Sequence, residues 1–165
     1  MIQNIKRSLV DILGEAYIAA VCRARSLLSG CSYDALWAIA NEKVDFYPES
    51  FAQRQETLMD LVGKQVIAPF ETTENGAPTA SYGAAQHNEM APLGGQGAFR
   101  LGESGKLYFA GKSEHYQIPL GHEFPGYALL EKAKALGILN ATHNNTRGYI
   151  TRTLERRLVA CANGL

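Results

Sequence analysis

Apolar side chains at Ile5, Leu9, Ile12, Leu13, Ala16, Tyr17, Ala20, Val21, Ala24, Leu27 and Leu28 recur at helical spacing. They line one stripe, as an amphipathic helix requires. The pattern predicts a single helix of about 25 residues, roughly 38 Å long at about 1.5 Å per residue. Gly30 stands where a left-handed C-terminal cap is expected. Ser32 is placed to cap a short second helix through Ala40. Ser50-Phe-Ala-Gln53, with Pro48 just upstream, has capping-box spacing and predicts a third helix that Gly63 stops. Residues 1–66 therefore read as a long helical N-terminal arm.

The pattern then changes. Glu71–Pro78 and Leu93–Gly97 are rich in turn formers, so residues 67–96 read as a loop or linker. From residue 97 the period shortens to two. Phe99 and Leu101 alternate with Ala98 and Arg100, and Leu107 and Phe109 with Tyr108 and Ala110. Alternation on both sides of Gly102-Glu-Ser-Gly105 predicts a β-hairpin. Gly111–Leu120 reads as a continuing irregular strand. Pro125 opens a helix with Leu129, Leu130, Ala133 and Leu136 facing inward, and Gly137 closes it. Ile138-Leu139 is a short extended link. Asn145 or Thr146 is placed to cap a last helix that buries Ile150, Leu154, Leu158 and Cys161. The fold class is α+β, with an α/β segment over residues 97–165.

Composition narrows the class. The chain has 165 residues, 46% of them apolar, and a formal net charge of zero. That is one ordinary domain, or one with an extension. The neutral balance, without a basic stripe, argues against nucleic acid as a partner. Lys6, Arg7, Asp11, Glu15, Arg23 and Arg25 interrupt any signal-peptide core or membrane span in the first helix. The three cysteines, Cys22, Cys31 and Cys161, are odd in number and far apart. They fit buried thiols in a reducing cytoplasm rather than a disulfide framework.

Candidate chemistry is sparse. Gly94-Gly95-x-Gly97 has the glycine content of a phosphate cradle, but such a cradle opens a helix. Here a strand follows, so a flexible turn is the expected reading. The four histidines, His87, His115, His122 and His143, show no i, i+4 pairing and no HExxH context, so no metal site is expected. His122 is expected to hydrogen-bond its turn and the next helix end. Thr142-His143-Asn144-Asn145-Thr146 reads either as helix-capping chemistry or as a loop facing a ligand pocket. Arg147, Arg152, Arg156 and Arg157 fit a solvated face or a subunit contact better than an anion site. No nucleophile–base pair emerges.

As an ordered set, Ala91-Pro92-Leu93, Gly102-Glu-Ser-Gly105-Lys106-Leu-Tyr108-Phe109-Ala110, Leu120-Gly121-His122-Glu-Phe-Pro125 and Asn140–Leu165 resemble a known family. They are similar to the entry loop, hairpin, third element and polar connection of class III aminotransferases, the ornithine and acylornithine aminotransferase relatives. Those are fold-type-I enzymes that use pyridoxal 5′-phosphate (PLP). The resemblance spans residues 88–165. Ala110 departs from the family's Asp, Gly102-Glu103 from its acidic hairpin opening, and the arm over residues 1–66 is longer than the family requires.

The resemblance implies a small-domain start in an enzyme that moves an amino group between an amine or amino acid and a 2-oxo acid. It implies a cytoplasmic homodimer, and no membrane partner. It makes His87, Asn88, His143 and Asn144 substrate-side candidates. The family's Ser-Gly-x-Glu-Ala phosphate turn does not occur in these 165 residues, and no lysine stands in Schiff-base context. PLP works as an electron sink only when held and protonated. No catalytic residue, no cofactor ligand and no bound PLP are therefore expected on this chain alone, which reads as an inactive fragment. The alternative is a self-standing, non-catalytic α/β binding or assembly module, with the amphipathic first helix pairing with a partner helix.

Overall fold

The computed structural model describes residues 5–71, 76–85, 87–110, 120–138 and 147–165. Its elements run β1 (Lys6–Arg7), α1 (Leu9–Leu13), α2 (Glu15–Ser29), α3 (Tyr33–Asn41), β2 (Val44–Asp45), α4 (Glu49–Met59) and α5 (Ala80–Ala85). They continue as β3 (Pro92–Gln96), β4 (Phe99–Gly102), β5 (Leu107–Phe109), α6 (Ala128–Ala135) and α7 (Tyr149–Ala162). The fold is α+β, with one sheet ordered β1-β2 and another ordered β3-β4-β5. Its residues gather into two compact units. Unit 1 holds Met1–Ile5 and Asp45–Tyr127, and unit 2 holds Lys6–Val44 and Ala128–Leu165. These units cut across the sequence segments 1–66, 67–96 and 97–165.

Unit 2 is helical. The single long helix expected over residues 5–28 is instead two. Gly14 takes φ 87° and ψ 148°, outside the helical region, and ends α1 while opening α2. The apolar period runs through the break, which hid it. Ser8 caps α1: its hydroxyl accepts from the Asp11 N–H at 3.1 Å, and the Asp11 carboxylate accepts from the Ser8 N–H at 2.9 Å. That reciprocal box satisfies two otherwise orphaned donors at the helix start. Ser8 is fully buried.

The core of this unit is Leu9, Leu13, Ile18, Cys22, Leu36, Ala40, Val44, Leu129 and Leu136. The stripe on α2 is covered only as far as Cys22, for Leu27 is 86% and Leu28 82% exposed. Leu129 on α6 and Leu136 just past its end are buried, but Leu130, expected inside, is exposed. Lys132 of α6 pairs with Glu42 at 2.7 Å. The Tyr17 ring stacks on Tyr149 at the start of α7, with centroids 4.3 Å apart.

The last helix departs furthest from expectation. Gly148 precedes α7 without a side-chain cap, and none of its residues is buried. Leu154, Leu158 and Cys161, expected inside, are exposed. The expected caps Asn145 and Thr146, and the expected strand residues 111–119, lie outside the described residues.

Unit 1 is built on the hairpin that the period-two alternation predicts. Phe99 faces Phe109, Arg100 faces Tyr108 and Leu101 faces Leu107 in an antiparallel β4–β5 pair. β3 adds a third antiparallel strand, with a bulge between Pro92 and Gly94. The segment expected as linker thus contains α5 and an ordered strand. Leu58 from α4 packs with Phe99 and Leu107, and Leu61, Ala98 and Leu101 close around them. The chain after α4 runs along β5. Gly63 N–H donates to the Leu107 carbonyl at 2.7 Å and Val66 N–H to the Gly105 carbonyl at 2.8 Å. That strap satisfies the β5 edge, which would otherwise be open to pairing with another chain.

The capping box expected at Ser50 does not form. Pro48 holds the N-cap position, and Gln53 donates to the Glu49 carboxylate at 3.1 Å instead. Among the described residues no helix is long and apolar enough to cross a membrane.

Candidate functional site

α4, the β3–β4 turn and β5 line a concavity of unit 1. Phe51 and Leu58 on α4 are buried, and Gln55 lies between them on the same face. A glutamine in an inward stripe needs polar partners, and the turn supplies them. The Ala98 N–H donates to Gln55 Oε1 at 3.0 Å, and Gln55 Nε2 donates to the Gln96 carbonyl at 3.4 Å. Gly97 between them has φ 57°, and a Cβ there would collide with the Gln55 amide. Only glycine fits this left-handed, crowded position without strain.

The glycine-rich motif is therefore not the flexible turn expected of it. Gly94 and Gly95 lie in β3, and only Gly97 turns. The ring of His122 lies against Gly95, where a side chain would displace it. Gly97 and His122 also exchange backbone bonds: His122 N–H donates to the Gly97 carbonyl at 2.9 Å and Gly97 N–H to the His122 carbonyl at 2.6 Å. His122 thus fastens its segment to the β3–β4 turn.

Behind the clip lies an open groove of about 530 Å³. Ala98, Phe99, Phe109 and Met59 supply its apolar surface, and Tyr47, Gln55, Glu56 and Asp60 its polar edge. Met59 is 54% and Phe109 55% exposed. A smaller apolar hollow of about 250 Å³ shares Phe99 with it and is lined by Leu58, Leu93, Leu101 and Leu107.

Of the substrate-side candidates, His87 and Asn88 are not among the residues that line this groove. His87 is exposed and precedes a single 3-10 turn at Asn88–Met90, where Asn88 is half-buried. That turn is tied to the hairpin. The Ser104 N–H donates to the Glu89 carbonyl at 3.1 Å, and the Glu103 N–H donates to the Ala91 carbonyl at 2.9 Å. His87 and Asn88 thus sit beside a braced loop, away from the groove lining. His143 and Asn144 lie outside the described residues. Conversely Tyr47, Gln55, Glu56, Met59 and Asp60 come from the arm to which the sequence reading assigned no role. The one signal in the sequence was Gln55, a polar residue in the apolar stripe of Phe51 and Leu58.

Titration points to structure rather than chemistry. Burial pushes the Cys22 thiol up, away from reactivity. Burial, reinforced by the neighbouring Tyr149, also raises Tyr17. Among the described residues no group of three His, Cys, Asp or Glu side chains is arranged to hold a metal ion. Cys31 and Cys161 are exposed free thiols, so only Cys22 of the three is buried as expected. No protein-family model matches the chain, and neither a curated protein nor a solved structure matches it.

Proposed function

We propose that this chain is a non-catalytic scaffold that docks onto a larger body, and that the body is the catalytic part of a class III PLP-dependent aminotransferase. The scaffold half of the reading is carried by α7. Leu154, Leu158 and Cys161 share one side of a 14-residue helix that buries none of its residues. A stripe patterned for burial and left open is a docking face. The transferase half rests on the ordered motifs of residues 88–165. Two of them adjoin in the fold, as the Glu103 N–H donates to the Ala91 carbonyl at 2.9 Å. In that assembly PLP supplies the electron sink, and this chain holds the hairpin and entry loop in place. The amino donor is an amine or amino acid, the acceptor a 2-oxo acid, and the enzyme a homodimer.

A second reading, a self-standing binding or assembly module, is favoured by the core of unit 2. Leu9, Ile18, Cys22, Ala40 and Leu136 are covered there by the unit's own helices. PLP titration with borohydride trapping and peptide mapping separates the two. It is run on the purified chain and on the chain mixed with any polypeptide encoded downstream of codon 165. The transferase reading predicts no single trapped lysine on the chain alone. It predicts one on a downstream polypeptide that carries a Ser-Gly-x-Glu-Ala turn. Absence of any such coding region, with a sharply melting chain that never binds PLP, sinks it in favour of the module.

A further inference from the structure

We infer that the open groove of unit 1 is a docking site for a cationic amphipathic peptide segment, one apolar face edged by Lys or Arg. The inference stands on this groove and not on the transferase reading, which rests on α7 and on the motifs. The floor is apolar, formed by Met59, Ala98, Phe99 and Phe109. Met59 and Phe109 remain more than half exposed. Sites that take small ligands cover most of the ligand surface. This groove is too open for that, and suits the apolar side of a helix laid along it.

The rim sets the sign of the partner. Glu56 and Asp60 stand at i, i+4 on one side of α4, and no Lys or Arg lines the groove. Among the described residues neither carboxylate forms a salt bridge. Their position is unfavourable for the helix itself. Like charges at this spacing repel. Both also sit at the C-terminal end of α4, where no basic residue is present and the helix dipole disfavours negative charge. Local rules broken without a compensating intramolecular contact mark functional positions. A Lys or Arg of the partner removes both penalties at once. Tyr47 and Phe109 add aromatic rings to the lining, the residue type that attracts a guanidinium.

The test is fluorescence anisotropy of a labelled synthetic helical peptide with Leu at i, i+4 and i+7 flanked by Arg, titrated with the full 165-residue chain. A counterpart peptide carries Glu in place of Arg. The expected result is saturable one-to-one binding of the Arg peptide that weakens with added salt. E56Q/D60N should weaken it by about three- to tenfold, the scale of two exposed ion pairs. The Glu peptide should not bind. Melting of E56Q/D60N at or above the parent temperature shows that its fold is kept. Five results overturn the inference. They are no saturable binding, equal binding of the Glu peptide, and indifference to E56Q/D60N. The fourth is displacement of the peptide by hexylammonium at lower concentration than the peptide needs, which makes the groove a small-amine site. Loss of self-association in E56Q/D60N, without peptide binding to the parent, assigns the groove to a second copy and overturns it too.

Discussion

Gln55 ties α4 to the β3–β4 turn of unit 1. It bonds both sides of Gly97 across a sequence separation of 41–43 residues. Gln55→Ala leaves the Ala98 N–H without its acceptor in a half-buried turn, so we expect a loss of about 1–3 kcal/mol. Gly97→Ala should cost about 1–2 kcal/mol from the left-handed backbone alone, plus displacement of Gln55. Thermal melts of both variants check this, and unchanged melting temperatures would remove the clip from the account.

Ser8 and Asp11 give a pH signature. The hydrogen bond from the Ser8 N–H holds the Asp11 carboxyl below its ordinary value of 3.8. A lowered folded-state pKa contributes stability that is present above the unfolded value and lost as pH falls through the folded one. Stability should therefore drop in acid, below about pH 4, and Asp11→Asn, which removes the titrating carboxyl, should flatten that part of the curve. Ser8→Ala should also cost about 0.5–2 kcal/mol at neutral pH. Equal acid slopes in the parent and in Asp11→Asn would contradict the box. The thiols offer a third check. Two of the three should react with a thiol reagent in the native protein, Cys31 and Cys161, and Cys22 only after denaturation. The Gln55 clip was only faintly legible in the sequence, because a glutamine on a helix is usually solvated and its distant partners are backbone atoms.

Among the elements, the hairpin was legible, and α7 was legible as a helix but not in its exposure. Alternation in β4 and β5 is a local signal, and the glycines between them fix the register of Phe99 opposite Phe109. Helical periodicity says which side of α7 is apolar, but not what covers it. The break at Gly14 was missed for a related reason, since Leu13 and Ala16 continue the period across it. β3 was read as a loop because its glycines are turn formers, whereas there Gly95 gives room for the His122 ring. The exposed α7 stripe carries its own prediction. L154E/L158E replaces side chains that are 54% and 60% exposed, so the melting temperature should move by no more than about 0.5 kcal/mol would move it. A large drop would place the stripe in a core instead.

For the whole molecule, the sequence conveyed class and balance but not partition. The α+β class, the zero net charge and the apolar content were all readable. The grouping of Lys6–Val44 with Ala128–Leu165 was not. It joins helices more than eighty positions apart, and periodicity carries no long-range information. The same limit applies to the groove, which needs α4 and β4 side by side. What the fold leaves uncovered is as informative as its cores. Leu27, Leu28, Leu154, Leu158 and Val159 of unit 2 are all more than half exposed. Apolar side chains grouped in this way favour association. Sedimentation velocity of the parent chain and of L154E/L158E across a concentration series measures this directly. The account predicts a parent mass above that of one chain, rising with concentration, and a variant at single-chain mass with the same melting temperature. A parent that stays at single-chain mass at every concentration would contradict it.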